Sequence, residues 1–163
     1  MLCDMILVSG MKKHILASLL FLICFAASAQ DIDYAGLKKE FTADTAQVEQ
    51  AYRNSTDYST AGIINASISR EEGYDRLLNK YYKILMNSLN EEGKKALRTT
   101  QRNWIKLRDS DRELVGAMHS QIYDEMGGGT IWGIVAADAR ADITRNRVLE
   151  LYRYLQFGDI GGG

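Results

Sequence analysis

The segment DRLLNKYYK at residues 75–83 and its counterpart QRNWIKLRDSD at residues 101–111 decide how this chain folds. Successive residues of a helix turn by about 100°. Asp75, Asn79 and Tyr82 therefore share one narrow stripe beside the apolar positions Leu77, Leu78 and Tyr81. Gln101, Trp104 and Arg108 form a second such stripe. If the chain folds back near residue 91, residues that face each other have a constant index sum. Asp75 with Arg108, Asn79 with Trp104, and Tyr82 with Gln101 all sum to 183. One antiparallel register levels all three pairs. It predicts a charged hydrogen-bonded pair between Asp75 and Arg108, since the planar guanidinium suits a carboxylate. Asn79 and Gln101 are expected to bond locally.

Helical spacing extends outward from this hairpin. Tyr34, Leu37, Phe41, Val48 and Tyr52 mark a first helix. Ile64, Ile68, Leu77, Leu78, Tyr81, Leu85 and Leu89 mark a second, with Gly73 as a weak point. Leu97, Trp104, Leu107, Leu114, Val115, Met118 and Ile122 mark a third. Ile134, Ala137, Ala141, Val148, Tyr152 and Leu155 mark a fourth. The chain contains no proline, so nothing of that kind kinks these helices. No segment shows sustained period-two alternation. The expectation is an all-α fold, a small bundle of three to four long helices with a central antiparallel helical hairpin formed by the second and third. Asn54 to Asp57 supplies N-cap residues, and Asn90 is placed to cap the third helix. Gly127-Gly128-Gly129 must interrupt helix, and Thr130 restarts it.

The first residues read as a targeting segment. Lys12 and Lys13 follow Met11, the apolar run from Ile15 to Phe25 comes next, and Ala27-Ser28-Ala29 ends it. The expectation is a signal peptide over residues 1–29, with Met11 as the true start and cleavage after Ala29. Lipidation at Cys24 is the alternative, although bulky Leu22 and Ile23 precede that cysteine. The apolar run is shorter than the ~20 residues of a spanning helix, so no stable membrane span is expected after cleavage. A single domain over residues 30–160 follows, and Gly161 to Gly163 read as a frayed tail. Export would place the protein in the periplasm or outside the cell.

Composition excludes several functions. The chain carries a net charge of −1, which becomes slightly more negative when Lys12, Lys13 and Asp4 leave. That argues against nucleic acid as a partner. Both cysteines, Cys3 and Cys24, fall in the leader, so the mature domain holds neither disulfide nor thiolate metal site. His119 stands alone there, and no metal or cofactor is expected. No spacing pairs a nucleophile with a base, so no catalytic residue is assigned. Gly127, Gly128, Gly129, Thr130 and Trp132 form a candidate contact loop, with a plain helix connector as the other reading.

The same residues resemble a known family. Asp75, Leu78 and Asn79, then Tyr82-Lys83, Leu97-Arg98, Gln101, Trp104-Ile105 and Arg108-Asp109 are similar to the pattern of the LprI-type lysozyme-inhibitor domains. Gly128-Gly129-Thr130, Thr144 and Arg147 continue the match, which covers roughly residues 59 to 155. That family commonly carries cysteines near the positions of Ala66, Arg112 and Ala139, all absent here. The resemblance implies an exported, non-enzymatic helical binding protein. Its implied target is a lysozyme or another cell-wall hydrolase, blocked sterically. A structural or assembly role in the envelope is the alternative, and the sequence leaves the oligomeric state open.

Overall fold

The computed structural model describes residues 32–160, which form four helices. These are α1, Tyr34–Arg53; α2, Thr60–Ser88; α3, Glu91–Glu125; and α4, Ile131–Ile160. The expected all-α bundle is present, and the described residues contain no strand. The proposed leader, its cleavage point, Cys24 and the glycine tail lie outside the described residues.

The first three helices start with one device. Asp33, Ser59 and Asn90 each accept a hydrogen bond from the backbone N–H of a glycine three residues on, at 2.9, 3.0 and 2.9 Å. These bonds satisfy donors that have no partner within the helix. Asn90 caps α3 as expected. For α2 the cap is Ser59 rather than a residue of Asn54 to Asp57, while Asp57 accepts from the Ser59 N–H at 3.0 Å. Glu91 and Glu92 then occupy the positive first turn of α3. Gly73 does not weaken α2, which runs through it without a break. A Cβ there would lie 2.9 Å from Val48 Cγ1, so this glycine lets α1 close on α2.

The core sits between α2 and α4, and these two helices share the most extensive packing. They run parallel: Ser67 meets Asp138, and Tyr81 meets Tyr152, each pair 71 positions apart. Helix α1 crosses back along them, antiparallel to α2, with Asp44 beside Tyr81 and Glu49 beside Tyr74. Phe41 stacks on Tyr152 at 3.8 Å between ring centres and meets Tyr81 edge-on at 5.1 Å. Leu37, Leu77, Leu78, Leu85, Val148, Leu151 and Leu155 complete this core.

Helix α3 behaves differently. It runs antiparallel to α2 as expected, and Glu71 pairs with Arg112, two residues whose indices also sum to 183. The anticipated register therefore exists. Yet α3 leans on α4 more than on α2, and an open groove of about 440 Å³ separates α2 from α3. Leu97 is the only residue of α3 that is fully buried. Leu107, Leu114 and Met118, which the helical spacing marked as its apolar face, are exposed.

Candidate functional site

The anticipated Asp75–Arg108 pair does not form. Both side chains line the α2–α3 groove from opposite walls. Arg108 instead donates to its neighbour Asp109, through Nε at 2.9 Å and Nη2 at 2.7 Å. Its guanidinium also lies over the Trp104 ring, 5.3 Å from the centre. Asp75 takes Asn79 Nδ2 at 3.2 Å, so Asn79 bonds locally as expected. The physical reason is the lean of α3, which puts the local carboxylate in easier reach than the one across the groove. The closed ion pair lies one turn further on, at Glu71 and Arg112, and Arg112 holds a position where the resemblance places a cysteine.

Gln101 does not bond locally. Its Oε1 accepts from Arg147 Nε of α4 at 3.1 Å. Arg147 also donates to Glu150 at 2.7 Å and lies 5.7 Å from the centre of the Trp104 ring. Trp104 thus has two guanidinium groups near its ring, one from its own helix and one from α4. Arg147 is only 2% exposed, and Thr144, one turn earlier, is buried as well. Both lie in the interior of α4, and Arg147 braces α4 against α3. Leu78 is in the core and Tyr82 packs at its edge. Most of the motif residues therefore position helices.

A second polar cluster joins α1, α2 and α4, and no spacing within a single helix announced it. Glu49 Oε1 accepts from Tyr74 Oη at 2.6 Å and from Arg70 Nε at 3.0 Å. Arg70 reaches Asp142 of α4 at 3.0 Å and is flanked by the rings of Tyr52 and Tyr74. Asp138 accepts from Ser67 at 2.6 Å and from Tyr52 at 3.0 Å. Burial alone would raise the Glu49 carboxyl, but the hydrogen bonds from Tyr74 and Arg70 and the charges of Arg70 and Arg145 outweigh it and hold Glu49 below its ordinary value. Burial, then the bond to Glu49, pushes the Tyr74 hydroxyl up to about 12. A general acid needs the opposite of what Glu49 has, a carboxyl held protonated near neutral pH. The arrangement clamps three helices together. Beside it lies a groove of about 510 Å³ between α1 and α2, with Gln47, Asn65 and Ser69 among its lining. Among the described residues, no group of three or more His, Cys, Asp or Glu side chains could hold a metal ion.

The candidate contact loop is the turn from α3 into α4. Gly127, Gly128 and Gly129 all have positive φ, 69°, 98° and 130°, a region that side chains disfavour. Gly128 N–H closes the end of α3 onto Tyr123 O at 2.8 Å. The Tyr123 ring lies against Gly128, and the Trp132 ring against Gly129. Thr130 is exposed and Trp132 half-buried.

These features define an all-helical module in which Gln101 and Arg147 join α3 to α4, while Asp75, Asn79, Arg108 and Asp109 bond within their own helices. The family model for lysozyme inhibitor LprI matches residues 51–151, and the chain belongs to that family. No curated protein and no solved structure matches it significantly. Among the described residues, no helix is long and apolar enough to cross a membrane.

Proposed function

We propose that the protein is an exported, non-enzymatic inhibitor that blocks a lysozyme or another cell-wall hydrolase by occupying its glycan cleft. The observation that carries this reading is the family match, which spans α2, α3 and most of α4. The leader, cleaved after Ala29, delivers the domain to the periplasm or the exterior. The α3–α4 turn, Gly127, Gly128, Gly129, Thr130 and Trp132, is the contact loop. Two features support this assignment: the loop is held at its base by the Gly128–Tyr123 hydrogen bond, and the polar residues of the family motif are engaged elsewhere.

The test is a titration of the exported protein into lysozyme lysis of bacterial cell walls. Dose-dependent protection is expected. Lysis by the protein alone would mark it as an enzyme, and the absence of any effect would leave an assembly role in the envelope.

A further inference from the structure

The last third of α3, the glycine turn and the first turns of α4 form the longest stretch of the described chain without lysine or arginine, and Arg140, which follows it, reaches back to α3 beside Gly116. From Glu113 to Ala139 there is no lysine and no arginine. The same span carries Glu113, Asp124, Glu125 and Asp138. Asp138 is occupied by Ser67 and Tyr52, while Glu113, Asp124 and Glu125 are exposed. Large apolar side chains are exposed in the same span. Met118, Tyr123, Met126, Ile131 and Val135 are between 46% and 66% exposed. The α1–α2 loop lies at this end too, since Ile64 approaches Gly133. It adds Tyr58, 82% exposed, together with Arg53 and Asp57, whose charges offset each other.

Exposed apolar groups gathered at one end, beside an excess of acidic charge in which Glu113, Asp124 and Glu125 outnumber Arg140, are characteristic of a protein-binding surface. The sign of the charge selects the partner. A second copy of the chain seated here would bring Asp124 and Glu125 against the same two acids, so self-association is disfavoured. Anionic glycan, nucleic acid and acidic lipid are disfavoured for the same reason.

Resting on the reading above, we infer that this end of the bundle is the docking surface, and that its partner is a basic protein which meets the acids with lysine or arginine and covers Tyr123, Met126, Ile131 and Val135. Attraction between opposite charges speeds encounter and weakens with salt. The apolar contact is less sensitive to salt and sustains the complex once formed.

The experiment measures binding of the exported protein to a basic lysozyme by calorimetry at low and high salt, alongside protection from lysis. Asp124→Lys with Glu125→Lys is expected to weaken binding by about tenfold or more at low salt. Met126→Asp is expected to weaken it at both salt concentrations. The control, Glu72→Lys with Glu92→Lys, reverses two exposed acids away from this end and is expected to bind like wild type. Circular dichroism of each variant checks that it folds. If wild type binds and protects while the end variants match the control, the surface is overturned and the proposed function stands. If wild type neither binds nor protects, the proposed function fails. The same variants titrated against poly-L-lysine then decide the surface alone, and equal binding by the end variants and wild type overturns it.

Discussion

Arg147 and Arg108 are both arginines beside one tryptophan, and they do different work. Arg147 is enclosed, with Gln101 and Glu150 as hydrogen-bond partners. Its removal leaves those partners unmatched where α3 and α4 meet. Glu150 is 41% exposed, so the pair is only half enclosed, and losing hydrogen bonds to a charged group of this kind costs about 1.5–3 kcal/mol. Arg147→Ala is therefore expected to lower the melting temperature by roughly 5 °C or more, measured by calorimetry. Arg108 pairs with an exposed neighbour on its own helix, and such pairs contribute about 0–1 kcal/mol. Arg108→Ala is expected to melt within a few degrees of wild type. Equal losses from the two variants would contradict these assignments. The tyrosines show the same dependence on partner. Tyr74 and Tyr81 are fully enclosed because α1 brings Glu49 and Asp44 to their hydroxyls. A buried tyrosine needs such an acceptor.

At the scale of the helix, Gly73 is the informative position. Alanine in place of glycine usually favours a helix by about 1 kcal/mol. Here the added methyl would press on Val48, and overpacking of this kind costs about 1–3 kcal/mol. Gly73→Ala is expected to destabilise the protein, whereas Gly73→Ala combined with Val48→Ala recovers part of the loss. Urea unfolding of the two variants checks this. The helices themselves were legible in the sequence because their signals are local. Asn90 caps, three consecutive glycines interrupt, and apolar residues recur at steps of three and four. The register of α2 against α3 was legible for a related reason, since a short turn links them and index sums then carry geometry. The parallel pairing of α2 with α4 leaves no such trace. Its partners stand 71 positions apart, and only the folded chain brings Ser67 to Asp138. The lean of α3 was equally hidden, because Leu107, Leu114 and Met118 have the spacing of a buried face whether or not anything covers them. Of the candidate site, the glycine turn could be read from composition, but the clustering of exposed apolar groups around it could not.

Across the whole molecule, carboxylates tie the elements together. Glu49 links α1 to α2, Arg70 carries the connection to Asp142 of α4, and Glu150 holds the arginine that reaches α3. Glu150, like Glu49, is held below its ordinary value: burial works against this, and the bonds from Tyr154 and Arg147 prevail. A carboxyl depressed in the folded state stabilises the protein above its unfolded value near 4.5. That contribution is lost as pH falls through the folded value. Stability is expected to hold from neutral pH to about pH 5 and to decline below it. Melting temperatures at pH 7 and pH 3.5 read the decline, and Glu49→Gln should make it shallower. An unchanged slope in that variant would remove Glu49 from the account.

The three-glycine turn carries a consequence for how this family member can diverge. Each of the three positions has positive φ, and a Cβ at Gly127 would meet nothing within 4 Å. There the constraint comes from the backbone alone and owes nothing to packing. Such a turn is hard to vary by point substitution, whereas Tyr123, Met126, Ile131 and Val135 on either side carry no such backbone constraint. On the docking surface proposed above, new specificity would thus be written in the helix ends around a turn that stays glycine.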